Sequence, residues 1–370
     1  MTNNQRQSLS LSQLLLIVAV FFVVLLLWQL RSLLLTLMIA VVLAAAIAPL
    51  VNTAEKLRLP RWLGVIVVYI SLISGLIGAG VIIGPSVSEQ IQRLASRLPV
   101  YLDNLVIATE NFALRLGITQ IESVEEFFDL QSLTNWLFRS SQQLLVRSFG
   151  FTRGFIGGLV NLILALVMSA YMVAGSKNLI KGLVSLFPQP WDERLADQVI
   201  PISRRMGGYI QGRVLVSAIL GVVISVGLRF LGLSEFALAL GVIAGFTNLI
   251  PFVGPVLGAI PALIVAIPQG GFTFLWVLLL FVMIQNLETY VLDPLLVGSS
   301  VRVHPLYQLL AVLGGTQVLG IIGAVIVPPW VAGVGVLVEN LYLQPKLLNE
   351  EKSAIYKLAS TLDNQPTSDV

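Results

Sequence analysis

Cysteine is absent from this 370-residue sequence, and histidine occurs once, as His304. The first absence excludes disulfides, thiolate nucleophiles and cysteine-based metal sites, and the second excludes the usual multi-histidine metal motifs. No metal or other cofactor is expected. Charge is also scarce: Asp, Glu, Lys and Arg make up 11% of the chain, with a net charge of +3. Soluble domains draw about a quarter of their residues from those four types, so a fully water-covered surface is excluded. The isoelectric point near 9.2 does not point to nucleic acid, because no basic cluster is interleaved with aromatic residues. Neither G-x-x-x-x-G-K-[ST], H-E-x-x-H nor G-x-S-x-G occurs. These absences argue against an ATP-driven pump or a membrane hydrolase, and the chain reads as a non-enzyme.

What the sequence does have is apolar length. Hydrophobic residues make up 56% of it, and the mean hydropathy is +0.91. Several runs reach the roughly 20 residues that cross a bilayer core. The fold class is therefore all-α: a polytopic helical membrane protein of about eight transmembrane spans, with Pro/Gly-broken or re-entrant segments and an amphipathic helical arm outside the membrane. Spans are expected near 11–28, 33–51, 62–84, 154–174, 208–231 and 272–292, with interrupted blocks at 234–268 and 306–343. The first run is longer than a signal-peptide core and no small-residue cleavage site follows closely, so it reads as a retained span.

This divides the chain into three N-terminal spans (1–84), an arm (85–153), a C-terminal membrane core (154–346) and a polar tail (347–370) expected to be mobile. In the arm, Val87, Ile91, Leu94 and Leu98, then Leu102, Leu105, Thr109, Phe112 and Leu116, recur at helical spacing, and Gly117 is the expected stop. Such helices lie on a membrane surface or pack on one another. Lys56, Arg58 and Arg61, and then Lys177, Lys181, Arg194, Arg204 and Arg205, fall in loops on the N-terminal side with Arg6. The positive-inside rule makes that side cytoplasmic, together with the C-terminus.

The stretch NLIPFVGPVLGAIPA, residues 248–262, places Pro251, Pro255, Pro261, Gly254 and Gly258 in an apolar run. Proline costs a helix interior about 3 kcal/mol and glycine about 1. Backbone freed by such a break cannot face lipid, so it must meet protein or a polar cavity. The block GGTQVLGIIGAVIVPPW, residues 314–330, repeats the theme with Gly314, Gly315, Gly320, Gly323, Pro328 and Pro329. Two interrupted hydrophobic segments point to a transporter's midplane site, with freed carbonyls offered to a cation, a solute or water. Close packing alone would also explain these glycines and prolines.

Polar groups stand where they are costly. Gln285, Asn286, Glu288 and Asp293 occupy IQNLETYVLDP, at the end of a hydrophobic span. Gln285 and Glu288 share one helical face, and Glu288 is the foremost candidate for binding a proton or monovalent cation. The alternative is that Glu288 lies at the interface or pairs with Arg302. His304 reads as a proton relay or as a donor that orders its loop. Arg213 is either an interfacial anchor or a gate and solute contact, with Gln211 beside it, and Asn248 can donate into the cavity at the break. The partners implied are a lipid bilayer and a small solute or monovalent cation or proton.

Taken together, LIPFVGPVLGAIPA, GGYIQGR and the run from IQNLETYVLDP through GSSVRVHPL to the Gly-rich block resemble the autoinducer-2 exporter family of bacterial permeases. The likeness covers most of the chain and includes Pro251, Gly254, Pro255, Gln285, Glu288, Tyr290, Pro294, Gly298, His304, Pro305, Gly314, Gly315, Gly320, Gly323 and Pro328. Asp293 stands where glutamate is commoner in that pattern, and Pro329 doubles the final proline. The resemblance implies an eight-span bacterial inner-membrane homo-oligomer. It also implies export of a small polar solute, as in autoinducer-2 efflux and quorum sensing, with sodium–proton antiport in some relatives. A non-transporting scaffold or channel-like assembly built around the arm is the rival reading of another class.

Overall fold

The computed structural model describes residues 11–115, 148–298 and 304–363. All regular structure among them is helical. Helix α1 (Leu11–Gln29) turns at Leu30 into α2 (Arg31–Lys56), and α3 (Arg61–Arg115) follows. At 55 residues, α3 is about 82 Å long, far more than a bilayer core of about 30 Å. It passes Pro85 and Pro99 without interruption, so the division expected near residue 84 is no break: the arm begins as a continuation of the span. The rest of the arm up to residue 147, including the expected stop at Gly117, lies outside the described residues.

Helix α4 (Ser148–Ala174) bends by 84° into the short α5 (Ser176–Val184). Arg61 ties this corner together, donating to the Val173 carbonyl and the Ser176 hydroxyl while pairing with Glu55. Helix α6 (Trp191–Phe230) begins well before the span expected at 208. After a π-helical turn at Glu339–Leu343 the chain continues as α11 (Gln344–Asp363), so helix extends into the segment expected as the tail.

The first Pro/Gly block is a helical hairpin. Its arms are α7 (Ala237–Thr247, 11 residues) and α8 (Val253–Ala266, 14 residues), about 16 and 21 Å long. Neither spans a bilayer, so the pair is a re-entrant dip. Its arms are antiparallel: Gly258 of α8 lies on Ala244 of α7, and Gly254 lies on Thr247. Phe252 takes a left-handed φ of 65° at the reversal, a conformation that costs a bulky residue of order 1–3 kcal/mol. The turn satisfies much of its own backbone, since Ile250 donates to Thr247, Val253 to Pro251 and Gly254 to Ile250. The Thr247, Ile250 and Pro251 carbonyls each accept one of these bonds. At the hairpin base, Ala239 N–H donates to Gln90 of α3, and Glu235 pairs with Arg97 at 2.7 Å.

Helix α9 (Gly271–Leu287) leads into a π-helical segment, Glu288–Gly298. The second block, α10 (Pro305–Val338), also folds back, at Gly320 with φ 67°. Gly315 lies against Gly323, whereas residues eight apart in a straight helix are about 12 Å apart. Small residues allow these close approaches, as they do where Gly221 on α6 meets Gly241 on α7. Among the described residues, five helices are long and apolar enough to cross a membrane, or six with the α4–α5 pair joined. The doubled-back second block counts there as one helix.

A methyl group on Gly258 would sit 2.8 Å from the Ala244 Cα, whereas Gly314 faces open space. Gly258→Val should therefore lose about 1–3 kcal/mol by overpacking, read as a lowered melting temperature in detergent. Gly314→Ala should melt at or slightly above the wild-type temperature.

Candidate functional site

Arg213 lies in the middle of the 40-residue α6, and its side chain is 5% exposed. A permanently charged guanidinium in that position needs an anion, because a lone buried charge costs several kcal/mol. Its Nη1 donates to Glu288 Oε1 at 2.8 Å and lies 3.5 Å from Asp293 Oδ1. Glu288 is 4% exposed at its side chain and Asp293 40% exposed. Asn248, at the tip of the re-entrant hairpin, donates from Nδ2 to the same Glu288 oxygen at 3.2 Å. Three separate elements thus converge on one carboxylate. Arg213 is an inward-facing partner of that carboxylate, not an interfacial anchor.

The π-helical register is what allows both acids to meet one arginine. Residues five apart in an α-helix point about 140° away from each other at 100° per residue. An i→i+5 hydrogen-bond repeat brings them close to alignment, and Glu288 and Asp293 are five apart. Pro294 has no N–H to give to an α-helical ladder, which favours the irregular register. The segment packs tightly on α6, since a Cβ on Gly212 would collide with the Leu296 carbonyl.

Between the hairpin, α6 and α9 lies a cavity of about 280 Å³. Most of its lining is apolar, including Leu220, Ile224, Pro255, Ile260, Leu263 and Phe281, while Asn248, Gln285 and Glu288 supply the polar groups. Pro251 and Gly254 shape the turn beneath Asn248, and both are buried.

Other candidates from the sequence stand elsewhere. Gln211 donates to the Ala46 carbonyl of α2, and Asn286 donates to Val282 on its own helix at 2.7 Å. Gln285 lines the cavity and donates to Thr289. His304 is exposed and caps α10, its Nδ1 accepting from Leu306 N–H at 3.2 Å; this is local capping, not a relay into the site. Gly315 is a packing contact in the second hairpin, and Gly314 is exposed there. Arg302 lies outside the described residues.

Sequence reasoning did not single out Tyr209 or Ser217. With Arg213 they form an i, i+4, i+8 stripe on α6. Tyr209 is 2% exposed and its hydroxyl accepts from Gln308 on the second hairpin at 3.1 Å. Both interrupted blocks therefore touch α6 on neighbouring turns. The only signal available beforehand was that spacing, around the YIQGR stretch.

These features define a class: a polytopic helical membrane protein whose discontinuous helices meet at a buried, charged site. The comparisons narrow it. The model described as "AI-2E family transporter" matches residues 15–343, and the chain belongs to that family. It is similar to "Putative transport protein YrrI" of Bacillus subtilis (strain 168), 27% identical over 83% of this chain and 86% of the relative. YueF of the same organism, named in the same way, is 26% identical over 85% of this chain and 86% of the relative. A "Putative transport protein" of Thermotoga maritima is 30% identical over 43% of this chain and 49% of its own length.

Removing only one member of the central pair strands a buried charge. Arg213→Met should cost about 3–5 kcal/mol, and the double variant Arg213→Met, Glu288→Met should recover much of that loss. Denaturant unfolding of the purified protein in detergent measures the cycle, and simple additivity would show that the pair is not coupled.

Proposed function

We propose that this chain is a secondary permease that exports a small solute through the region where the re-entrant hairpin meets α6 and the π-helical segment. The observation that carries this reading is the contact of Asn248, at the hairpin tip, with the buried Glu288–Arg213 pair beside an apolar cavity. A broken helix is tolerated within a membrane where its freed groups meet protein or a cavity, and a charge there marks a solute or ion path more often than a scaffold. Family membership supports transport, and the family's name suggests an autoinducer-2-like solute. In this reading the chain works in a bacterial inner membrane as a homo-oligomer with both termini cytoplasmic, an orientation that its loop lysines and arginines support.

Exchange of sodium or lithium for protons is the second reading, and the charge count favours it. One arginine faces two carboxylates, leaving formal negative charge when both are ionised, which a proton or monovalent cation would neutralise.

Reconstituted protein should release preloaded labelled solute, or exchange ²²Na⁺, faster than empty vesicles. Glu288→Gln should slow that flux by at least about tenfold, the equivalent of one charge-assisted hydrogen bond. A wild-type protein that moves neither a metabolite panel nor Na⁺ or Li⁺ would end the transport reading.

A further inference from the structure

Glu288 and Asn248 line the polar end of the cavity, and each is 3% exposed. Both protein hydrogen bonds to Glu288 end on one oxygen, Oε1, from Arg213 Nη1 at 2.8 Å and Asn248 Nδ2 at 3.2 Å. Among the described residues, nothing donates to Glu288 Oε2 or to Asn248 Oδ1. Neither oxygen is sealed in, because the enclosed side-chain atoms without a partner are Arg213 Nε and the Ser217 hydroxyl. Each oxygen therefore keeps accessible surface. Since both residues line the cavity and are otherwise buried, that surface opens into it. Two acceptors thus face a space walled by apolar side chains such as Leu220, Ile224, Ile260, Leu263 and Phe281.

We infer that this cavity binds an organic ammonium with a short hydrocarbon body, its N–H groups donating to Glu288 Oε2 and Asn248 Oδ1. The inference rests on the permease reading above and names its solute class. Three observations set the chemistry. The open atoms are both acceptors, so the missing partner is a donor, and an ammonium offers up to three N–H groups and no acceptor. Charge fixes the sign of the head. Arg213 stands against two carboxylates, Glu288 at 2.8 Å and Asp293 at 3.5 Å, so one further positive charge balances the group. An anionic head would meet Glu288 with like charge. The walls fix the body. An alkali ion needs a shell of oxygens in place of its water, and these apolar side chains supply none. A fully hydroxylated solute would bury hydroxyls against them without partners. The cavity rim at Val256, Ile260 and Val282 is exposed, on a surface that faces acyl chains in a bilayer. An amphiphilic amine can enter that way with its hydrocarbon in the apolar wall and its head at Glu288.

The probe is octylamine carrying a diazirine on its chain, photolysed with the full-length protein in phosphatidylcholine nanodiscs. Labelling should map to peptides containing residues 255–263 and 278–288. Unmodified octylamine should compete, while octanamide, octanoate, ribose and Na⁺ at the same concentration should not. Glu288→Gln keeps the shape of the side chain and removes its charge. It should weaken competition by octylamine at least about tenfold, the equivalent of one charge-assisted hydrogen bond, without weakening octanamide. Such a change of preference is not what a merely structural role would produce. Ala259→Phe, which fills the cavity from its apolar wall, should abolish the label, and with the wild-type competition series it decides the matter if Glu288→Gln does not fold. Equal competition by octanamide or octanoate would overturn the charged head, and competition by ribose or Na⁺ would overturn the hydrocarbon body. Labelling that octylamine does not compete would show that the groove merely holds lipid. An unchanged preference in folded Glu288→Gln would remove Glu288 as the head-group partner and the site with it. The label does not depend on flux, so a failed transport assay with successful labelling removes only the permease reading. Working transport without labelling removes only this solute class.

Discussion

The constraint on which the structure turns is that a permanently charged guanidinium sits inside an apolar bundle. Arg213 cannot shed its proton, and hydration is out of reach at 4% exposure. It is tolerable only where carboxylates are delivered to it in good geometry. That requirement accounts for three otherwise odd features together. The π-helical segment stacks Glu288 and Asp293 on one side, the re-entrant hairpin brings Asn248 to share the Glu288 oxygen, and Gly212 lets the segment lie against α6. Each device is unfavourable alone, and each is compensated by the charges it helps to neutralise.

A second constraint, that main-chain polar groups must be satisfied away from water, explains the form of the two interruptions. Neither is a frayed helix. The first closes its turn with its own amides, and the second reverses at one glycine with a left-handed φ. The contact that the first tip makes with Glu288 comes from a side chain, Asn248. Glycines pay no steric penalty at the crossings of α6 with α7 and of the second hairpin's arms, so backbones can meet where side chains would hold them apart. Outside these crossings the surface is densely apolar: Phe21, Phe22, Leu76, Ile82 and Trp276 are all exposed, as a lipid-facing surface would be.

Much of this was legible in the residues. Scarce charge and long apolar runs indicate a helical membrane protein, and Pro251, Gly254, Gly315 and Gly320 mark both reversals. Costly polar positions also drew attention to Glu288, Asp293, Asn248 and Arg213. Other features were not legible. The α3 helix passes Pro85 and Pro99 without a break, so a proline did not signal a boundary there. His304 pairs with a backbone amide two residues away, a local outcome that its rarity in the sequence disguised. Ser217 carried no signal, because a lone serine in the apolar run VLVSAIL reads as packing.

The sequence by itself determined that the chain enters a bilayer as helices and where those helices must break. Hydropathy and backbone propensity act over a few neighbouring residues, so a one-dimensional reading captures them. Only the tertiary structure decided that Glu288 answers to Arg213, 75 positions away, and that Asp293 turns to the same side. Those pairings depend on which helix faces meet and on a π-helical register, and both are set by packing across the whole bundle.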